Sequence, residues 1–129
     1  MRESSTMRMI LLAVLSLAQI VLPGPVAADL RLVMVEQPGC VYCRAWDADI
    51  SAIYPKTAEG KRAPLTRIQL RAPLPDDMRF DRPAGFTPTF VLLEDGAEVG
   101  RIEGYPGEDF FWGLLGQMLD ARNPGSGTD

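Results

Sequence analysis

Two cysteines, Cys40 and Cys43, stand three residues apart at the point where an apolar run gives way to a segment with helical periodicity. Leu30 to Val35 reads Leu-Arg-Leu-Val-Met-Val, a short β-rich stretch closed by Gln37-Pro38-Gly39, and it predicts a buried strand followed by a turn. From Cys40 to Ile53, residues Cys43, Trp46, Ile50 and Ile53 recur at spacings of three and four, which predicts a helix with those four on its core face, stopped by Tyr54-Pro55. A thiol pair is thereby fixed at a strand-to-helix junction. Cys40 falls at the helix start, beside unpaired N–H groups, and Cys43 lies one turn further in on the buried face.

The pair has few other uses in this chain. A disulfide across two residues closes too short a loop to add much stability through chain entropy. Zinc needs about four ligands, and the sequence has 2 cysteines and no histidine. A c-type haem needs histidine directly after the second cysteine, where Arg44 stands. Redox chemistry remains the favoured reading. In such motifs the first thiol has a pKa of roughly 3.5 to 7.5, low enough to supply thiolate near neutrality, and the second attacks the resulting mixed disulfide.

The amino terminus reads as a secretory signal over residues 1–28: Arg2 and Arg8, an apolar run from Met9 to Leu22, then Pro23-Gly24-Pro25 and Val26-Ala27-Ala28. The run is short of the ~20 residues of a membrane span, so cleavage after Ala28 is preferred to a retained anchor. Losing Arg2, Glu3 and Arg8 takes the 13 basic and 17 acidic residues to 11 and 16, a net charge of −5, which argues against nucleic acid or an anionic membrane as partner. Export also puts the cysteines where oxidants are available. With no histidine, neither imidazole catalysis nor most transition-metal sites are open to the chain.

Residues 29–123 are expected to form one domain. Leu65 to Leu70 alternates and predicts a second strand, with Thr66, Ile68 and Leu70 on one side, after a polar stretch from Thr57 to Pro64. Pro73, Pro75 and Pro83 leave room for only a short or partly irregular helix around Asp76 to Asp81, with Asp76 and Asp77 as helix-start charges. Phe90 to Leu93 is apolar on both faces, as a central strand should be, and Asp95-Gly96 turns it into a hairpin with Ala97 to Glu103. Phe110, Phe111, Leu114, Leu115, Met118 and Leu119 mark a closing helix, and Trp112 reads mainly as packing too, although its place off the stripe also leaves it open to a partner. Residues 124–129 form an expected disordered tail. The order predicts an α/β domain with a four-stranded mixed sheet flanked by helices.

Gln37-Pro38-Gly39-Cys40-Val41-Tyr42-Cys43 resembles the active-site loop of the thioredoxin superfamily, and Thr87-Pro88-Thr89-Phe90 resembles its cis-proline loop. The resemblance runs from Leu30 to about Ala121 and implies a minimal thioredoxin fold. It implies a cis Thr87–Pro88 bond beside Cys40, with Thr87 and Pro88 binding substrate and Gly104 flooring the groove, although Gly104 reads equally well as a turn glycine. Gly104 to Trp112, Gly-Tyr-Pro-Gly-Glu-Asp-Phe-Phe-Trp, is similar to a run in the periplasmic thioredoxin-like proteins of bacterial sulfur oxidation, the SoxS type.

That likeness implies a periplasmic reductase with catalytic Cys40 and Cys43 and no cofactor beyond their redox-active disulfide. It would act as a monomer on a sulfur-carrier protein and draw electrons from a membrane thiol transporter. Rival readings are a disulfide oxidase or isomerase, a cytochrome-maturation reductase, and a non-catalytic thiol or copper chaperone. One departure stands out: thioredoxin proper has a buried acid six residues before its first cysteine, where this chain has Met34. Proton transfer to Cys43 then falls to Glu36 or water, or is slower.

Overall fold

A computed structural model of the protein describes residues 20–24 and 28–122. Most of the expected signal segment, and the expected tail, lie outside the described residues. Strands β1 (Leu30–Glu36), β2 (Leu65–Gln69), β3 (Thr89–Glu94) and β4 (Ala97–Glu103) form one sheet in the order β2-β1-β3-β4. The β1–β2 pair is parallel, while β1–β3 and β3–β4 are antiparallel, which makes the sheet mixed as the connections demand. The hairpin turn is made at Asp95 and Gly96, both with positive φ.

Strand alternation divides the core into two layers. Leu32, Met34, Phe90 and Leu92 point to one face, where they meet Cys43, Trp46, Ile50, Phe111, Leu115 and Leu119. Helices α1 (Val41–Trp46), α2 (Ala58–Arg62) and α3 (Glu108–Asp120) gather over this face. The four-residue spacing of Phe111, Leu115 and Leu119 sets the buried side of α3, and Phe110 is left 70% exposed. Aromatic edges fill the centre, with Phe90 and Phe111 centroids 4.9 Å apart. Trp112 stacks on Tyr54 at 6.0 Å, so it belongs to the packing and is not held out for a partner.

Val33, Val35, Val91 and Leu93 form the other face with Met78. Among the described residues it carries no helix, which corrects the expectation of a short or partly irregular helix around Asp76 to Asp81. Those residues make only a turn and then an isolated bridge between Arg79 and Ala97, with Arg79 N–H donating to Gly96 at 2.7 Å and Glu98 N–H to Arg79 at 2.9 Å. Pro75 and Pro83 bound a stretch of only about two helical turns, and the outer edge of β4 offers its backbone groups better partners. Asp77 pairs with Arg31 instead of starting a helix.

The segment is anchored by a nearly buried ion pair. Arg101 meets Glu98 through two bonds of 2.8 and 2.9 Å, and it also donates to the Arg82 carbonyl at 2.6 Å. Glu98 accepts the Asp81 N–H at 2.8 Å.

Two further departures lie beyond α1. The helix widens into a π-helical turn over Asp47–Ser51, so the next inward residue after Ile50 is Tyr54, not Ile53. Ile53 is 42% exposed and Tyr54 is 1% exposed, because the wider turn shifts the inward face by one position. The stretch read as merely polar folds as α2, where Thr57 Oγ1 caps the helix by accepting the Gly60 N–H at 3.0 Å.

Candidate functional site: the Cys40–Cys43 disulfide and its groove

Cys40 and Cys43 are joined by a disulfide, with Cα atoms 5.2 Å apart. Cys40 is the N-cap residue of α1, extended in backbone, and its Sγ accepts the Cys43 N–H at 3.1 Å. A hydrogen-bond donor aimed at Sγ favours the charged form of that sulfur once the bridge opens. Burial separates the two cysteines. Cys43 is 5% exposed within the aromatic layer, whereas Cys40 sits partly open beside Val41 and Tyr42, both largely exposed. Only the first sulfur of the pair can meet a large partner.

Thr87–Pro88 is a cis peptide bond. Pro88 is buried, its carbonyl accepts the Gly104 N–H at 2.7 Å, and Thr89 Oγ1 donates to the Phe86 carbonyl at 2.8 Å. Gly104 has φ +86°, a backbone state that suits glycine, and no atom lies within 4 Å of where a Cβ would stand. Tyr42, Phe86, Thr87, Glu103, Gly104 and Tyr105 line an open cleft of about 450 Å³. Of the expected site residues, Thr87 and Gly104 thus share a groove with Tyr42 of the cysteine loop, and Pro88 lies behind its wall.

Three groove-side features escaped the sequence. Gln37, read as part of the turn and loop before Cys40 with no role of its own, donates from Nε2 to Thr87 Oγ1 at 2.9 Å. Tyr105, read only within the run from Gly104 to Trp112, donates its hydroxyl to Asp49 at 2.7 Å; desolvation, then that bond, pushes the phenol pKa up. Glu103 forms an ion pair with Arg82. None carries a local signal, because each depends on contacts across at least 21 positions.

At the position of the missing acid, Met34 is fully buried and Arg67 takes the surrounding polar contacts. Arg67 donates to Asp47 at 2.6 Å, to Glu36 at 2.7 Å and to Ser51 at 2.9 Å, and lies over the Trp46 ring. Glu36 is therefore engaged in an ion pair on the β2 side. Among the described residues, no group of three or more His, Cys, Asp or Glu side chains gathers as a metal site would require.

A strand-to-helix dithiol motif facing a cis-proline loop on a β2-β1-β3-β4 sheet defines a thioredoxin-like protein, and the family profile for the thioredoxin-like domain matches residues 27–119. The chain belongs to that family. Such proteins are thiol–disulfide oxidoreductases in general and use the redox-active disulfide itself, without a further cofactor. The structure is similar to the crystal structure of the periplasmic thioredoxin SoxS from Paracoccus pantotrophus in its reduced form. The two share 56% sequence identity with a TM-score of 0.69, over 70% of this chain and 96% of that one. Comparison with curated proteins gave no match.

Proposed function

We propose that the protein is a periplasmic dithiol reductase that removes disulfides or persulfide-type adducts from a cysteine of a partner, a sulfur-carrier protein of sulfur oxidation. The observation that carries this reading is the unequal burial of the two sulfurs, together with the 56% identity to a periplasmic thioredoxin SoxS. The signal-like residues 1–28 support export.

In the reduced protein, the Cys40 thiolate attacks a partner disulfide, a mixed disulfide forms, and the second partner sulfur departs as thiolate. The Cys43 thiolate then attacks Cys40 Sγ and releases the first partner sulfur. Two electrons pass to the partner, and the Cys40–Cys43 bridge is restored. With a persulfide, the outer sulfur leaves as sulfide. A membrane thiol transporter resupplies the two electrons by dithiol exchange. Thr87 and Gly104 bind the partner along the groove, and Pro88 shapes its wall.

Trapping tests this reading. With Cys43→Ser, Cys40 still attacks but nothing within the protein displaces the partner, so the mixed disulfide accumulates. Under sulfur-oxidising growth, mass spectrometry should find a sulfur-carrier protein linked through Cys40, and Cys40→Ser should trap little. Complexes containing only cytochrome-maturation proteins, or a broad set of exported cysteine proteins, would overturn the sulfur-oxidation role. Absence of any complex would overturn the reductase.

A further inference from the structure

Gln37 is bonded to both halves of the site. Its main-chain carbonyl accepts the Cys40 N–H at 3.3 Å, which closes the turn before α1, while its side-chain amide reaches Thr87 Oγ1 at 2.9 Å. The Thr87 main chain makes no hydrogen bond among the described residues, so its N–H and C=O are free to receive an extended segment. The next link is short. Pro88 follows Thr87, and its carbonyl is tied to Gly104. One continuous set of contacts thus runs from Cys40 through Gln37 and Thr87 to the groove floor.

We propose that Gln37 is a positioning residue that sets the Thr87 backbone relative to Cys40, so that a partner's strand pairs in the register that presents its sulfur to Cys40 Sγ. This rests on the dithiol reading above. The bonds from Thr89 to Phe86 and from Gly104 to Pro88 hold the loop's ends without Gln37. Losing the amide therefore frees Thr87 while the surrounding fold stays. A loop that must be ordered during binding weakens the complex with ground state and transition state alike, and the cost falls on half-saturation more than on the maximal rate. A small disulfide makes no strand pairing and is indifferent to the change.

The test uses prereduced protein in single-turnover reactions with two probes. One is an extended octapeptide whose single cysteine carries a thionitrobenzoate mixed disulfide, and the other is free dithionitrobenzoate. Attack by Cys40 releases one thionitrobenzoate anion from either probe and leaves a mixed disulfide that Cys43 resolves, so electrons and sulfur balance.

Gln37→Leu and Thr87→Val should each raise the half-saturating peptide concentration about fivefold, the factor one ordinary hydrogen bond supplies, with the plateau rate within about twofold. The double variant should be no worse than either single one, because both remove the same bond. Thr87→Ser, which keeps the hydroxyl, should restore peptide binding. For Gln37→Leu the rate with dithionitrobenzoate should match that of the unaltered protein. Additive losses in the double variant, or parallel slowing with both probes, would overturn the positioning role. Failure of the unaltered protein to attack either probe would instead overturn the reductase reading and this inference with it.

Discussion

Arg67 stands opposite Met34 in the parallel β1–β2 pair, its Nη1 3.6 Å from the methionine Sδ. A thioether accepts hydrogen bonds weakly, so it cannot satisfy a guanidinium, and Arg67 turns to Asp47, Glu36 and Ser51. The hydrogen bond to Asp47 leads the causes that raise the Arg67 pKa, against the opposing effect of its partial burial. Asp47 and Ser51 are the first and last residues of the π-helical turn. Arg67 therefore brackets that turn from the neighbouring strand.

Arg67→Leu should release the bracket. The ion pairs are partly exposed, so the expected loss is only about 1–2 kcal/mol in denaturant unfolding. Amide hydrogen exchange should quicken from Asp47 to Ala52 while α3 keeps its protection. Uniformly faster exchange across both segments would contradict a local role.

Alkylation should separate the two sulfurs in the reduced protein. Iodoacetamide should label Cys40 with a midpoint well below the free-thiol value of ~8.5, because Cys40 Sγ caps α1, and should label Cys43 hardly at all. Mass spectrometry of quenched samples across pH reads both rates at once. Slow and equal labelling would count against attack through Cys40.

The Glu98–Arg101 pair predicts the acid limb of the stability curve. Burial pushes the Glu98 pKa up, but hydrogen bonds from Arg101 and Asp81 outweigh it and leave the carboxyl below its usual range. A lowered folded pKa contributes stability that is complete above the unfolded value of ~4.3 and is lost as pH falls through the folded one. Glu98→Gln should cost about 1–2 kcal/mol at neutral pH, because Arg101 loses its nearer carboxylate and keeps only Glu103 at 3.8 Å. It should also flatten the fall in stability below about pH 4, read from thermal midpoints over a pH series.

Gly60 lies against Tyr54 so closely that an added Cβ would stand 1.8 Å from the Tyr54 carbonyl oxygen. Gly60→Ala must therefore move backbone, and it also threatens the bond of 2.6 Å from the Tyr54 hydroxyl to the Ala63 carbonyl. A loss of about 3 kcal/mol is expected, at the upper end for overpacking. Calorimetry should show it as a lower midpoint, with the Cys40 alkylation rate of the folded protein unchanged.

The strands of the mixed sheet, the hairpin and the dithiol position were legible because each is written in local patterns: the apolar run of Leu30 to Val35, the Asp95-Gly96 turn, and two cysteines at a strand-to-helix change. The cis-proline loop was legible only through likeness to a family, since Thr87-Pro88 alone describes any strand start. The π-helical turn was not legible, because the side chain that brackets it is Arg67, 16 residues beyond Ser51. The absent helix over Asp76 to Asp81 was hidden for a similar reason. Its competitor was the edge of β4, which the chain reaches only after Gly96.

By bonding to Gly96 and Glu98, Arg79 occupies main-chain groups on the outer side of β4 that another molecule would need to extend the sheet. The irregular segment thereby acts as a blunt end-stop. Copies stored at high concentration are denied that flank as a template for fibre growth, even though β4 is seven residues long and joined to β3, which is buried from Thr89 to Leu93.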